Sequence, residues 1–160
     1  MVIEKQIAKY LFKTLKDSWA NENVKMTNPF PELKLINSKS GDWRYVDQYV
    51  GGEPYQGFEV IWFKNKPIWS MTYRGLYHGS EPYKKFITFL KAALSAAPKE
   101  MPVRGPKKFA QKQFANWSYE NSWRGKMNEF KGREEVFFKK KIVFWTDYQG
   151  GTVNHEFENL

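Results

Sequence analysis

The sequence predicts an α+β domain built from a helix and three antiparallel strands, written twice. The expected result is about six strands in one antiparallel sheet, open or curled toward a barrel, with the helices on one face. Three observations point there. Residues 57–75 and 132–150 have equal length, both run from glycine to glycine, and match at a constant offset. Strand-like alternation of aromatic and polar residues recurs in both halves. A stretch of helical periodicity precedes each triplet of strands.

The repeat carries most of the weight. At an offset of 75, Gly57, Glu59, Phe63, Lys64, Lys66, Tyr73 and Gly75 meet identical residues at Gly132, Glu134, Phe138, Lys139, Lys141, Tyr148 and Gly150. Upstream, at an offset of 74, Trp43, Tyr45, Asp47 and Gly51 meet Trp117, Tyr119, Asn121 and Gly125. The change of offset falls at residues 52–54, where a loop absorbs it. So many matches in order read as an internal duplication, with a period too long for a solenoid. One domain is expected over 1–160, with repeats at about 2–77 and 80–152.

In chain order, residues 2–19 predict a helix whose apolar stripe is Ile3, Ile7, Leu11 and Leu15, backed by Lys5, Lys9, Lys13 and Lys16. Residues 21–42 read as a long connection. Strands follow at 43–50, 58–64 and 67–75, the last two forming a tight hairpin around Asn65. Ser80 is placed to cap a helix over 81–97 that Pro98 ends. Residues 99–116 form a second long connection, and connections of such length are often functional. The second triplet is expected at 117–124, 133–139 and 142–150, its hairpin tip made of lysines. Gly51-Gly52 and Gly150-Gly151 read as strand-ending turns.

Composition limits the function. Cysteine is absent and only His78 and His155 are present, so disulfides, thiolate chemistry and a His- or Cys-built metal centre are excluded. No cofactor is expected. No apolar run approaches a membrane span, and the lysines near the start interrupt any signal peptide. A cytoplasmic protein without membrane contact is the expectation. The net charge is +9, carried mostly by lysine, with arginine at 44, 74, 104, 124 and 133 alone. Such a charge favours acidic or phosphate-bearing partners without identifying one.

The shared positions identify candidate site residues. Alternation along the middle strand of each triplet turns Glu59 and Glu134 toward the apolar face. A carboxylate there must be hydrogen-bonded, bound or protonated. Tyr45, Asp47, Trp69 and Tyr73 are expected on the same face, with Tyr119 and Tyr148 in the second half. This set makes an aromatic cleft with converging carboxyl groups, fitted to a cationic or hydroxyl-bearing small molecule. The alternative reading of Glu59 and Glu134 is structural, as hubs that fix strand register.

Three functions are consistent with these residues. The first is a non-catalytic module binding a small molecule or a protein partner. The second is a nucleic-acid binder using Lys107, Lys108 and Lys112 between Phe109, Phe114 and Trp117. The third is a carboxylate hydrolase exploiting the Asp47/Asn121 difference between halves.

The strings "WRYVDQYVGGEPYQGFEVIWFKNKPIWSMTYRG", "MPVRGP" and "FKGREEVFFKKKIVFWTDYQGG" resemble an uncharacterised bacterial family of unknown function. The resemblance covers about residues 43–151. Its members share the order of a Trp/Tyr-rich strand, GG, a Gly-x-Glu strand, a Pro-x-Trp-x-Met-x-Tyr-x-Gly strand, a helix, RGP and a second Gly-x-Glu strand. Some relatives look like C-terminal partners of a helix-turn-helix domain, for which these 160 residues leave no room. The resemblance implies a stand-alone bacterial or archaeal module and brings no reaction, cofactor or catalytic residue.

Overall fold

The computed structural model describes residues 2–16 and 26–153. Nine strands form a single antiparallel sheet in the order β1-β2-β3-β4-β5-β9-β8-β7-β6. The strands are β1 (Met26–Phe30), β2 (Leu33–Ser40), β3 (Trp43–Gly51), β4 (Tyr55–Phe63), β5 (Lys66–Tyr77), β6 (Lys108–Phe109), β7 (Trp117–Lys126), β8 (Glu129–Phe138) and β9 (Lys141–Thr152). Helix α1 spans Val2–Lys16 and α2 spans Tyr83–Ser95. The expected extension of the first helix to residue 19 lies outside the described residues.

This architecture corrects the expected six strands in helix-plus-three-strand units. Part of the first connection is a hairpin, β1–β2, with Leu33 to Ser40 paired along β3 from Val50 to Trp43. The second connection adds the two-residue β6 against β7. The physical reason is edge protection: β3 and β7 would otherwise present unpaired backbone groups. The segment 33–40 alternates poorly, which hid it, yet Ile36 is buried in the core. Each helix is therefore followed by more than three strands.

The central pairing is β5 with β9, where Tyr73 stands opposite Tyr148. On either side the ladders coincide. Asp47, Glu59 and Met71 lie in register across β3–β4–β5, and Asn121, Glu134 and Thr146 across β7–β8–β9. Both β4–β5 and β8–β9 carry a bulge at the matching point, Ile61/Trp62 and Val136/Phe137. Gly150 and Gly151 are inside β9, which corrects their reading as a turn. A Cβ at Gly150 would meet the Ser70 carbonyl oxygen at 2.2 Å, so only glycine lets the two central strands pair there.

Both helices pack on the same face. Ile7, Ala8, Tyr10 and Leu11 of α1 bury against Ile36, Tyr45, Ile61, Trp69, Met71 and Tyr73. The predicted Lys5, Lys9 and Lys13 stay exposed behind them. Phe86, Phe89, Leu90 and Ala93 of α2 bury against Trp117, Tyr119, Val136 and Phe144. Helix α2 starts two residues later than expected because Pro82, with no N–H to leave unsatisfied, occupies its N-cap; Ser80 makes no cap there. No helix of the described residues is long and apolar enough to cross a membrane.

The two equivalent hairpins turn alike. Lys64-Asn65 and Lys139-Lys140 all adopt positive φ, the signature of a type I′ turn. Lysine has no side-chain compensation in this region, which costs about 1 kcal/mol per residue. Replacing Lys139-Lys140 by Asn-Gly is expected to stabilise the fold by about 1 kcal/mol or more. Urea unfolding checks this: the midpoint should rise with an unchanged slope.

Candidate functional site

The registers above bring four candidate residues together. Tyr45 and Asp47 of β3, Glu59 of β4 and Tyr73 of β5 face the helices side by side. The Tyr73 hydroxyl donates to Asp47 Oδ1 at 2.5 Å. Tyr45 hydrogen-bonds to Glu59. Tyr73 reaches Asp47 because its strand neighbour is Gly57, where a Cβ would meet the Tyr73 hydroxyl at 2.6 Å. In the other half Gly132 plays the same part beneath Tyr148.

The matching set in the second half is sealed. Glu134 is fully buried, and the Tyr119 hydroxyl donates to its Oε2 at 2.7 Å. Its Oε1 accepts from Arg104, through Nε at 3.0 Å and through Nη2. Arg104 comes from the connection between α2 and β6, and its side chain is 11% exposed. Beside it, the Gly105 carbonyl accepts from Asn121 Nδ2 at 2.9 Å, while the Tyr148 hydroxyl donates to Asn121 Oδ1 at 2.7 Å. Asn121 thus both accepts from tyrosine and donates to a backbone carbonyl. An ionised aspartate could do only the first. The segment packs on both halves, with Met101 and Val103 in the first-half core, but its side-chain hydrogen bonds go to Glu134 and Asn121 of the second.

The first half is equally buried but keeps a small cavity. A cavity of about 110 Å³ lies between β2–β5 and α2, with Lys34, Tyr45, Asp47, Glu53, Glu59, Tyr73 and Arg104 in its polar wall. Tyr55, Phe86, Leu90 and Phe144 supply the apolar wall. Glu59 is 3% exposed, and its Oε2 has no hydrogen-bond partner among the described residues. The Arg104 guanidinium lies 5.9 Å from the Tyr73 ring but spends its hydrogen bonds on Glu134.

Electrostatics follow from this division. Burial, together with Asp47 beside it, pushes the Glu59 carboxyl up to about 8, against the pull of Arg104 and the Tyr45 hydrogen bond. Burial pushes Asp47 up to about 6, against the Tyr73 hydrogen bond and Arg104. Burial also raises the hydroxyls of Tyr45 and Tyr73, so both remain donors at neutral pH. At neutral pH the Glu59 carboxyl is therefore neutral and the Asp47 carboxyl mostly ionised.

The remaining candidates lie elsewhere. Trp69 is buried beneath α1, with its indole N–H donating to the Met127 carbonyl at 3.0 Å. Tyr119, Glu134 and Tyr148 form the sealed half, so Glu134 has no free oxygen with which to act beside Glu59 on a substrate. Lys107 stands over the Trp123 ring at 5.4 Å, and Lys108 approaches Glu120 at 3.9 Å. Lys112 lies in the short 3-10 turn that follows β6. None of these lysines lines the cavity.

Sequence reasoning missed Arg104. Its signal was present: a single arginine between Pro102 and Pro106, in a chain with five arginines and two inward-facing glutamates. A buried carboxylate demands a cation, and a proline-bounded segment can hold one in place. Tyr55 was missed as well, because it precedes the expected start of its strand.

A family model described as a domain of unknown function, DUF5680, matches residues 47–153. The matched span takes in Asp47, Glu59, Arg104 and Glu134. No curated protein and no solved structure matches the chain.

Proposed function

The chain belongs to the DUF5680 family of domains of unknown function, and from that premise we propose a cytoplasmic, non-catalytic module that binds a small amine. The observation that carries this reading is the bare Oε2 of Glu59 in the cavity wall. A buried polar oxygen without a partner is costly, protonated or not, and a ligand that hydrogen-bonds to it repairs it. Asp47 adds charge, and the Tyr45, Tyr55 and Tyr73 rings suit an ammonium group. The volume is well below the roughly 300 Å³ at which pockets for drug-sized ligands begin, so the ligand head is a small one.

An ammonium group favours ionised Glu59. Binding therefore expels the Glu59 proton, and affinity rises with pH until Glu59 is ionised in the free protein, near pH 8. A neutral alcohol would show no such rise.

The test uses ethylammonium chloride against sodium chloride at equal ionic strength. The ammonium salt should raise the melting temperature with concentration, more at pH 8 than at pH 6. The rise should be lost in Glu59→Gln with Asp47→Asn. Equal melting temperatures in the two salts, or an equal ammonium effect in the double variant, would overturn the reading.

A further inference from the structure

The face of the sheet turned away from the helices carries a second feature. Tyr73, Tyr148, Glu134 and Asn121 point beneath the helices, so alternation puts their strand neighbours on the opposite face. Those neighbours include Thr72 and Arg74 of β5, Asp147 and Gln149 of β9, Arg133 of β8 and Ser122 of β7. Lys131 and Arg124 lie on the same side. Together they line one open groove of about 760 Å³.

The groove is basic, and most of its charge is uncompensated. Arg133 is committed: its Nη1 lies 3.0 Å from both Asp147 carboxylate oxygens, and its Nε donates to Glu135 at 3.0 Å. Arg74 stands opposite Asp147 in the β5–β9 ladder without an ion pair to it, and Arg124 and Lys131 have no carboxylate partner among the described residues. Arg124 stands directly opposite Lys131 in the β7–β8 ladder. Like charges facing each other across two strands are destabilising, and a bound anion would reverse that cost.

Aromatic and neutral polar groups accompany the cations. Phe58 stands opposite Thr72 on this face and is 39% exposed. Trp145 shares the face, with the Arg133 guanidinium 4.8 Å from its ring. Gln56, Thr72, Ser122 and Gln149 offer hydrogen bonds along the groove. Arg74 and Arg124 are three strands apart, or about 14 Å, which spans a few nucleotides. Phosphate-binding cations beside stacking rings are what a single strand of nucleic acid requires. A bilayer surface is broad and does not enter a groove.

We infer that the open sheet face, through Arg74, Arg124 and Lys131 with Phe58 beside them, is a docking groove for single-stranded nucleic acid. It uses none of the lysines of the connection before β7 and none of the cavity under α2. Recognition is by phosphate charge and base stacking, without reading of sequence.

The experiment is fluorescence anisotropy with a labelled oligothymidylate of about 20 nucleotides, from about 50 to about 200 mM salt. Three phosphate contacts on a single strand predict a slope of log K against log salt of about −2. Combining Arg74→Gln, Arg124→Gln and Lys131→Gln should weaken binding at least tenfold and flatten that slope. The unfolding midpoint of this variant should not fall, because a repulsion has been removed. Should it fall, Arg74→Gln alone carries the test, with a severalfold loss expected. Glu59→Gln should bind as the parent does, which separates this surface from the amine cavity.

Absence of binding at about 50 mM salt would overturn the inference. So would wild-type affinity in the groove variants, or loss on replacing Lys107, Lys108 and Lys112 by alanine. Displacement of the oligonucleotide by anionic phospholipid vesicles at equal phosphate would overturn it in favour of a membrane surface.

Discussion

Arg104→Ala is expected to destabilise the fold by about 3–5 kcal/mol. The substitution leaves Glu134 fully buried with Tyr119 as its remaining donor. It also takes away the cation that opposes the rise of Glu59 and Asp47. Most of the loss belongs to the abandoned carboxylate and not to the ion pair as such. Arg104→Met combined with Glu134→Gln should therefore recover a large part of it, since glutamine still accepts from Tyr119. Urea unfolding of the single and double variants at one pH checks both statements. A single variant within about 1 kcal/mol of the parent would contradict the account of Arg104 as the partner Glu134 depends on.

Glu59→Gln is expected to gain on the parent protein as the pH rises. The sign follows from proton counting. The Glu59 carboxyl binds its proton more tightly in the folded chain, at about 8, than in the unfolded chain, at about 4.5. Below the lower value both states are protonated and nothing is lost. Between the two values the folded state holds the extra proton, so stability falls with rising pH by about 1.4 kcal/mol per unit. Above about 8 the loss is complete. Asp47 adds a similar fall between about 3.8 and about 6. The contribution of these two groups should thus be flat below about pH 4, fall steeply to pH 6 and less steeply to pH 8. The curve of the Glu59→Gln variant should lack the second fall. Parallel curves for the two proteins between pH 6 and 8 would contradict this.

Much of the inner sheet was legible because its residues obey a period of two on a buried face. Trp43 to Gly51 and Trp117 to Lys126 alternate large rings with polar groups, and their matched spacing locates both triplets. The outer strands were not legible for an equally physical reason. Residues 26–30 form the edge strand and 33–40 the strand beside it, and near an edge the side chains can be polar on both faces. β2 takes its strand state from pairing along β3, and β1 from pairing along β2, which no local pattern encodes. The two-residue β6 is shorter than any periodicity can reveal.

The site was half legible. Alternation alone directs Glu59 and Glu134 inward. It cannot say that one would be capped and the other left with a bare oxygen, because the deciding contacts come from Arg104 and Gly105, some 30 residues before Glu134. The sequence does hold one part of this in the Asp47/Asn121 difference. The Asn121 amide donates to the Gly105 carbonyl, which an ionised aspartate cannot do. Reading that from sequence requires knowing which backbone carbonyl arrives there.

The central claim is that Glu59 keeps a proton at neutral pH in a small buried cavity and surrenders it to a small amine. Infrared difference spectroscopy at pH 7, parent minus Glu59→Gln, reads that proton through the carboxylic C=O stretch. The account predicts a protonated-carboxyl band in the parent that fades when ethylammonium is added and a carboxylate band that grows in its place. A parent protein with no such band at pH 7, or a band that ethylammonium leaves untouched, would contradict it.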